Sequence, residues 1–260
     1  MSNRGLGGIR RRDRICELLL ADGYVDVSKL SEELKVNLVT IRRDLDRLER
    51  AGLLRRSHGG AYPRQAPVGA ELDFSLRMNY HLEVKQRIAR RVARLLYEGD
   101  TVYLDAGTTA LMVAREIANR RHLSVVTHSL EVVEALKSSI GINLFLIGGQ
   151  YLRHTHSMVG YQAEEAIRGF RCRKLVLGTA GIDFQGRALT LSAAEEVPMK
   201  RAAIACAEQV LLVADAGKFD KSSLHGTIPL SDVDVLISDA APSSEAKVVL
   251  DELGIDLLLA

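Results

Sequence analysis

The stretch VNLVTIRRDLDRLERAGLLRRSHGGAYP, residues 36–63, carries six arginines within fifteen positions and closes on a glycine pair and a proline. Ile41, Leu45 and Leu48 stand at i, i+4 and i+7, which is the spacing of one buried helix face, and Asn37 precedes them as a candidate N-cap. With that face turned inward, the opposite face must turn outward with most of the arginines. The stretch therefore predicts an amphipathic helix with one strongly basic side.

Two further helices are predicted upstream of this basic helix. RRRDRICELLLADG places Ile15, Leu18 and Leu19 on one face and stops at Gly23, as a helix C-terminus should. YVDVSKLSEELKV follows, and Ser28 is the predicted N-cap of a short helix there. A short helix, a tight turn and a longer helix form the helix-turn-helix pattern.

The segment after the basic helix, LLRRSHGGAYP, contains Gly59 and Gly60, which predict a tight turn between two short extended arms, a wing. A helix about 10–12 Å across fits the major groove of DNA, and a planar guanidinium can hold a guanine edge or a phosphate with two hydrogen bonds. A second interpretation makes the arginines only the solvated face of an amphipathic helix, offset by Asp44, Asp46 and Glu49. The side chains expected to contact DNA are Thr40, Arg42, Arg43, Arg47, Arg55, Arg56 and His58.

Charge is divided unevenly along the 260 residues. Residues 1–64 hold 14 Lys and Arg against 9 Asp and Glu, and the remainder holds 21 against 24. A net charge near +5 followed by one near −3 predicts a polyanion partner for the first part alone. The three cysteines are widely spaced without a CxxC pair, which is typical of buried thiols in a reducing cytosol. No apolar run approaches the roughly 18 residues of a membrane span, so we expect a cytoplasmic protein without a membrane partner.

PRQAPVGAELD, residues 63–73, has two prolines and neither helical nor strand periodicity, which places a domain boundary there. We expect a DNA-binding domain at residues 1–62, a linker at 63–74 and a second domain at 75–260. In the second domain short apolar runs such as TVYLDAG, LSVVTHS and KLVLGTAG alternate with helical stretches, which predicts a mostly parallel sheet covered on both faces. Ligands of such sheets bind at the carboxyl ends of the strands, which here are small, polar or rich in glycine.

The most informative strand end is LDAGTTA, residues 104–110, where a strand passes through glycine into two threonines that open a helix. Backbone N–H groups at a helix N-terminus and two hydroxyls can form an anion site, although the same letters also fit a plain strand-to-helix turn. No GxxxxGK[ST] loop or complete GxGxxG occurs, which disfavours nucleotide hydrolysis. Lys200 and Lys218 lie near other strand ends or helix starts, either as charges beside a phosphate or as surface lysines.

The first domain resembles the DNA-binding half of DeoR-type bacterial transcriptional regulators, because the strings TIRRDL at residues 40–45 and HGGA at residues 58–61 are both intact. The resemblance implies a winged helix-turn-helix and adds Asn37 and Gly59 to the expected DNA contacts. The family usually has serine where this chain has Asn37, and asparagine is an equally good N-cap.

The second domain is similar throughout to the DeoR sensor domain. This similarity implies an α/β, Rossmann-like fold related to ribose-5-phosphate isomerase, and a phosphorylated sugar or related metabolite as the effector. His128 departs from the asparagine that is usual in its segment, which either alters the choice of ligand or fills space. The residues that match the family's pocket are Asp105, Gly107, Thr108, Thr109, Thr127, Ser129, Gly148, Gly149, Ser157, Gly160, Lys200, Asp215 and Lys218.

The competing hypothesis is a sugar-phosphate isomerase with an accessory basic domain. Isomerisation needs a carboxylate that moves a proton between carbons. The stretch LGTAGID, residues 177–183, corresponds by resemblance to an acidic DGADEID loop of the isomerases and keeps only Asp183 of its terminal pair. Leucine and alanine occupy two of the acidic positions, so the expected catalytic set is broken, although Glu195 and Glu196 could each supply a carboxylate.

We therefore expect a DNA-binding regulator and not an enzyme, namely a repressor of carbohydrate metabolism genes controlled by a phosphorylated sugar. One helix-turn-helix covers only half of an operator on double-stranded DNA, so a homodimer or homotetramer is expected. His154 and His156 form an HxH pair without a third ligand at metal-site spacing, so neither a metal nor another cofactor is expected.

Overall fold

The computed structural model describes residues 7–22, 24–50, 53–63, 74–223 and 225–260. The chain divides into two compact units, an N-terminal unit (Met1–Leu82) and a C-terminal unit (Glu83–Ala260). The predicted linker over residues 63–74 lies almost wholly outside the described residues and stays a prediction. Within the described ranges, no helix is both long enough and apolar enough to cross a membrane.

The N-terminal unit combines helices with a small antiparallel sheet. Its described elements are α1 (Gly8–Asp22), β1 (Val25–Asp26), α2 (Val27–Glu33), α3 (Leu38–Arg50), β2 (Leu54–Ser57), β3 (Gly60–Pro63) and α4 (Phe74–Asn79). Strand β3 lies between β1 and β2 and pairs antiparallel with both. The succession of α2, α3 and the hairpin of β2 and β3 confirms the predicted winged helix-turn-helix.

The apolar face of α3 anchors this unit. Ile41, Leu45 and Leu48 are at most 3% exposed and share one core cluster with Ile15 and Leu19 of α1. Burying an aliphatic side chain of this size contributes roughly 1.5–3 kcal/mol. The cluster therefore decides which side of α3 faces solvent, as the spacing predicted.

The two helices of the motif begin at different kinds of cap. Asn37 caps α3 as predicted, because its Oδ1 accepts a hydrogen bond from the Thr40 backbone N–H at 2.8 Å. The cap of α2 is Asp26, whose carboxylate accepts from the N–H of Ser28 at 2.8 Å and of Lys29 at 3.0 Å. The predicted Ser28 cap is therefore wrong: the helix begins at Val27, so Ser28 already lies in its first turn.

The turn of the wing is formed by His58 and Gly59, one residue earlier than the predicted glycine pair. Gly59 has a φ of +89°, a conformation that side chains with a Cβ rarely adopt. Gly60 belongs to β3, where an added Cβ would lie 2.2 Å from the carbonyl oxygen of Val25. The two glycines thus have separate tasks, one in the turn and one in the close contact with β1.

Asp44 is not the solvent-exposed acid, balancing the charge of the α3 arginines, that the solvated-face interpretation assumed. Its side chain is 2% exposed and is paired with Arg11 at 2.5 Å and with Arg12 at 3.5 Å, both on α1. The carboxylate therefore ties α3 to α1 instead of neutralising the outer arginines. Asp44 stands three residues after Ile41, which places it on the buried side of the helix.

The C-terminal unit alternates strands and helices. Its elements, after α5 (Leu82–Ala93) at the boundary, are β4 (Thr101–Leu104), α6 (Thr108–Ile117), β5 (Leu123–Thr127), α7 (Leu130–Leu136), β6 (Ile142–Leu146), β7 (Gln150–Leu152), β8 (Ser157–Val159), α8 (Tyr161–Arg168), β9 (Lys174–Gly178), β10 (Gly181–Asp183), β11 (Ala188–Leu191), α9 (Glu196–Ala205), β12 (Val210–Val213), β13 (His225–Pro229), β14 (Val235–Ser238), α10 (Ser244–Leu253) and β15 (Asp256–Leu259).

Seven of these strands form one parallel sheet in the order β15, β14, β12, β9, β4, β5, β6. Every residue of β12 and β14 is buried, which requires cover on both faces and confirms the predicted sheet. From β4 the chain proceeds to β5 and β6, whereas from β9 it proceeds in the other direction. The carboxyl ends of β4 and β9 therefore flank the point where the strand order reverses, the usual place of a ligand in such sheets.

Two smaller sheets were not predicted from the sequence. Strands β10, β11 and β13 form an antiparallel sheet, and β7 pairs with β8 in a hairpin. Each of these strands has only three to five residues, too few for a periodicity to stand out. The predicted buried thiols are confirmed, since Cys16, Cys172 and Cys206 are buried and none of the three is in a disulfide.

Replacing Asp44 by asparagine should weaken the N-terminal unit by about 2 kcal/mol, because the two guanidinium groups of α1 lose their buried partner. Hydrogen exchange of the amides of α1 and α3 measures this loss locally. The matched control is Glu32→Gln, since the Glu32 side chain is exposed on α2. Equal protection in the two variants would contradict a stabilising role for the Asp44 ion pairs.

Candidate functional site

The outer face of α3 presents the arginines that the sequence predicted to contact DNA. Arg42, Arg43 and Arg47 are exposed, and none of them forms a hydrogen bond or ion pair with the described part of the chain. Thr40 is half-buried, and its hydroxyl donates to Asn37 Oδ1 at 2.7 Å. Three guanidinium groups on this helix are therefore free to bind an external anion, while Thr40 is engaged with the cap.

A groove of about 580 Å³ runs beside α3 and the wing. It brings four of the predicted DNA contacts together, namely Arg42, Arg56, His58 and Gly59. His58 and Gly59 are exposed at the tip of the wing. The helix and the wing thus share one polar surface, which allows both elements to contact the phosphate backbone of the same DNA.

The two arginines of β2 have different surroundings. Arg55 is exposed, whereas Arg56 is half-buried, with its guanidinium paired with Asp46 of α3. The backbone N–H of Arg56 also donates to Glu49 Oε1 at 2.9 Å. Asp46 and Glu49 therefore attach the wing to α3, and the charge of Arg56 is shared with a carboxylate.

The reversal point of the parallel sheet contains a buried ion pair between two residues of the predicted ligand site. Asp105 follows β4 and is 1% exposed, and Lys200 of α9 is 4% exposed. The Lys200 ammonium contacts Asp105 Oδ2 and also donates to the Gly178 carbonyl at 2.9 Å. The same Asp105 oxygen accepts from the Gly178 N–H at 2.9 Å. Lys200 is thus a core residue rather than the surface lysine of the alternative interpretation.

Helix α6 begins directly beside this ion pair with no side-chain cap. Its N-cap is Gly107, with a φ of +135°, and an added Cβ there would meet no atom within 4 Å. Thr108 is buried and Thr109 is half-buried in the first turn. Uncapped N–H groups at the start of a helix carry a partial positive charge, so this end of α6 has the geometry to accept an anion.

The polar residues at the end of β5 are largely engaged in local structure. The Thr127 hydroxyl donates to the Leu104 carbonyl at 2.7 Å and accepts from the Ser129 N–H at 3.1 Å, and Ser129 caps α7. Ser157 forms a bridge with Ser129, and its hydroxyl lies 2.6 Å from that of Thr155. These side chains stabilise the loops at the carboxyl edge of the sheet, so few of their hydrogen-bond donors remain available to a ligand.

The other matched positions lie farther along the same edge. An added Cβ at Gly149 would lie 2.7 Å from the Val159 carbonyl oxygen, so that glycine permits close contact between the ends of β6 and β8. Lys218 ends a short 3-10 helix after β12, which Asp215 caps through the Gly217 N–H at 3.1 Å. Since β12 is two strands from β4, Lys218 borders the edge from the side of β9.

His128, which follows Thr127, is the least expected polar group at this edge. Its ring is 4% exposed, and Nδ1 lies 2.7 Å from the hydroxyl of Tyr103, which is fully buried. Burial lowers the pKa of His128 from 6.5 to about 4, and the nearby charges of Asp105 and Lys200 act in opposite directions on it. The imidazole is therefore neutral near pH 7.

Two regions of the chain match domains of one family of regulators. Residues 11–64 match the DeoR-like helix-turn-helix domain, and residues 80–240 match the DeoR C terminal sensor domain. The chain belongs to the DeoR family. It is a DNA-binding transcriptional regulator, as the sequence predicted.

Curated DeoR-family relatives are similar over nearly the whole chain. The transcriptional repressor AccR of Agrobacterium fabrum (strain C58) is 37% identical over 243 residues, covering 94% of each chain. The glycerol-3-phosphate regulon repressor of Escherichia coli (strain K12) is 34% identical over 250 residues, 96% of this chain and 98% of that one. These relatives are named as repressors, which supports the prediction that this chain is not an enzyme.

Solved structures that resemble this chain in part include an enzyme and a translation factor. Ribose 5-phosphate isomerase A from Methanocaldococcus jannaschii has a TM-score of 0.41 at 14% identity, over 54% of this chain and 55% of that one. eIF2B beta from Chaetomium thermophilum has a TM-score of 0.47 at 14% identity, over 97% of this chain and 88% of that one.

In this DeoR-family chain Asp183, the remaining acid of the isomerase-like stretch, accepts from the Gly186 N–H at 2.7 Å and closes a turn.

Sequence reasoning missed two groups at the sensor edge of this DeoR-family chain. Gly178 supplies both a donor and an acceptor to the buried ion pair, and Tyr103 holds His128. Neither residue has a local motif. Their contacts join neighbouring strands, and hydrophobic periodicity does not determine the register between strands. Among the described residues, no three His, Cys, Asp or Glu side chains are grouped to hold a metal ion.

Replacing Asp46 by alanine should loosen the wing and weaken operator binding about tenfold, because Arg56 loses its ion pair and β2 one attachment to α3. Fluorescence anisotropy on operator DNA measures the affinity, and hydrogen exchange of β2 and β3 measures the loosening. Glu32→Ala serves as the control for loss of a negative charge from the same unit. Tighter DNA binding by Asp46→Ala than by the control would contradict a positioning role.

The stability of the C-terminal unit should fall as the pH is lowered from 6.5 to about 4. The folded-state pKa of His128 is below its unfolded value, so between these pH values the unfolded chain binds the proton and is favoured. The contribution of this residue is about 3 kcal/mol across the window. Denaturant unfolding against pH, compared with His128→Asn, checks it: identical slopes for the two proteins would contradict the burial of a neutral imidazole.

Proposed function

We propose that the chain represses genes of carbohydrate metabolism and that a phosphorylated sugar, bound at the carboxyl edge of the parallel sheet, controls its affinity for operator DNA. The observation that carries the ligand half of this proposal is the uncapped start of α6 at Gly107 beside the buried ion pair of Asp105 and Lys200. A phosphate group fits such a helix end because backbone N–H groups and the helix dipole both favour an anion.

The DNA half of the proposal rests on the free arginines of α3. Arg42, Arg43 and Arg47 face solvent without partners in the described chain, on a helix of a size that enters a major groove. Arg55, His58 and the groove beside the wing extend this surface toward the phosphate backbone. Asn37 and Gly59 shape it, the first as a cap and the second in the turn.

The ligand half assigns distinct tasks to the matched sensor residues. The amides around Gly107 with the hydroxyls of Thr108 and Thr109 receive the phosphate, and Lys218 approaches from the side of β12. Asp105 holds Lys200 in place, while Thr127, Ser129, Gly149 and Ser157 build the rim. No further cofactor has a task in this scheme. A relative named for the glycerol-3-phosphate regulon supports a small phosphorylated compound as the class of effector.

Control of DNA binding requires two arrangements of the protein with different ligand affinities, since equal affinity would shift nothing. We propose a homodimer or homotetramer, because one helix-turn-helix reads only a half-site. The effector then binds more tightly to the arrangement that is free of DNA.

The test is fluorescence anisotropy of the full chain on the DNA upstream of its own gene, with scrambled DNA as the reference. Sugar phosphates and glycerol 3-phosphate are titrated into the complex. Specific binding that one compound releases supports the whole proposal. Specific binding that no phosphorylated compound alters overturns the ligand half alone, and equal binding to both DNAs overturns the operator assignment.

Two substitutions separate the halves. Arg43→Ala should weaken operator binding at least about tenfold and leave ligand binding unchanged, because one guanidinium contact to base or phosphate is lost. Arg115→Ala, a change of an exposed arginine on α6, is the charge-matched control. Lys218→Ala should keep operator binding and lose the response to the ligand. An unchanged response would remove Lys218 from the site.

A further inference from the structure

The imidazole of His128 is fixed in place but uses only one of its two nitrogens. Its backbone carbonyl accepts from the Met158 N–H at 2.8 Å, and its ring stacks on that of Tyr103 with centroids 5.8 Å apart. Nδ1 contacts the Tyr103 hydroxyl at 2.7 Å. Within the described chain, Nε2 has no hydrogen-bond partner, since the Asp105 carboxylate lies 3.8 Å away, beyond hydrogen-bond distance.

The contact with Tyr103 decides which nitrogen carries the proton. Burial raises the pKa of the Tyr103 hydroxyl well above its ordinary value, so the group stays protonated and must donate. In the part of the chain that the structure describes, Nδ1 of His128 is the acceptor that the hydroxyl reaches. If Nδ1 carried the proton instead, the buried Tyr103 hydroxyl would have no acceptor. Leaving that hydroxyl unpaired costs more free energy than the tautomer protonated at Nε2, in which the hydroxyl donates to Nδ1. The imidazole therefore accepts at Nδ1 and carries its N–H at Nε2.

The Asp105 oxygens accept other hydrogen bonds, and the nearer of them lies 3.8 Å from Nε2, too far to accept from this N–H. Asp105 Oδ1 accepts from the Ala106 N–H at 2.8 Å, and Oδ2 accepts from Gly178 and Lys200. Nε2 is not among the fully buried, unpaired side-chain atoms of the described chain, so this N–H keeps solvent contact that a ligand oxygen can replace. The donor stands at the end of β5, next to the start of α6 at the end of β4, so an acceptor can reach it from the carboxyl edge of the sheet, where ligands of such sheets bind.

We infer that the Nε2–H of His128 donates a hydrogen bond to a hydroxyl or carbonyl oxygen of the sugar part of the ligand, and so determines which phosphorylated compounds the sensor accepts. This inference rests on the proposed function, because it concerns the same site. The phosphate and the sugar are then recognised by different groups, the phosphate by the start of α6 and the sugar by His128. Tyr103 is a positioning residue that acts through the imidazole.

Two substitutions distinguish the two nitrogens of His128. In asparagine the side-chain amide lies where Nδ1 lies, so His128→Asn keeps a partner for Tyr103 and loses the donor to the ligand. In glutamine the amide nitrogen reaches the position of Nε2, so His128→Gln keeps that donor. The pair separates loss of the ligand contact from general damage to the core.

Isothermal titration calorimetry of the full chain with inorganic phosphate, ribose 5-phosphate, glucose 6-phosphate and glycerol 3-phosphate provides the test. For the sugar phosphate that binds the wild type, His128→Asn should lower the affinity about tenfold, and His128→Gln should stay within about threefold. Inorganic phosphate should bind all three proteins within about twofold, since it reaches only the start of α6.

The outcomes separate the inference from the function on which it rests. Equal sugar-phosphate affinity of the wild type and His128→Asn overturns the inference and leaves the proposed function intact. A parallel loss for inorganic phosphate also overturns it, because the residue would then be structural. If the wild type binds none of the phosphorylated compounds, the proposed ligand class and the inference fail together.

A measurement on the unaltered protein gives an independent readout. Nitrogen-15 NMR of the histidine side chains should show His128 as the tautomer protonated at Nε2, with a change in the Nε2 shift when the sugar phosphate binds. Tyr103→Phe should abolish the tautomer preference while keeping the ring packing. A wild-type imidazole protonated at Nδ1 would overturn the inference whatever the variants do.

Discussion

Asp105 and Lys200 bring opposite charges into a part of the sheet edge where each side chain is at most 4% exposed. Removing either partner would leave an uncompensated buried charge at a cost of several kcal/mol, so the groups around the pair must be in place together. Those groups are the N–H and carbonyl of Gly178 and the N–H of Ala106. Because they belong to the ends of β4 and β9, the pair fixes α9 against both strands and thereby sets where α6 can begin.

The N-terminal unit distributes its charges by the same rule. Asp44 is buried and therefore held by Arg11 and Arg12, and Asp46 holds Arg56. Once these acids have partners, they no longer neutralise the outer arginines of α3. Asp44 and Asp46 therefore order the scaffold of this unit and leave Arg42, Arg43 and Arg47 of α3 without ionic partners, which is the condition for binding a polyanion.

Hydrophobic periodicity predicted those parts of the fold whose position and orientation depend only on the burial of apolar side chains. Ile41, Leu45 and Leu48 gave the orientation of α3, and the apolar runs gave the strands of the parallel sheet. Asp44 shares the spacing of that face, but its partners lie more than 30 residues away, so only the tertiary structure shows that a charge is tolerated there. At the sensor edge the sequence predicted Asp105 and Lys200 as members of one site. It could not predict that they bind each other, because side-chain pairing across elements depends on register and rotamers.

An anion that approaches the protein therefore meets a different electrostatic environment at each of the two units. The α3 arginines add uncompensated charge, which attracts DNA over about a Debye length of roughly 8–10 Å with little regard to sequence. At the sensor edge the ammonium of Lys200 is cancelled by Asp105. Attraction there comes from backbone N–H groups and the partial charge at the start of α6, which act only over the first turn, and in the proposed scheme from Lys218. Under the proposed function, long-range attraction would serve an operator that must be found among much DNA. A site with so little uncompensated charge would bind weakly to phosphate alone, and the neutral part of the ligand would then decide which compound is sensed.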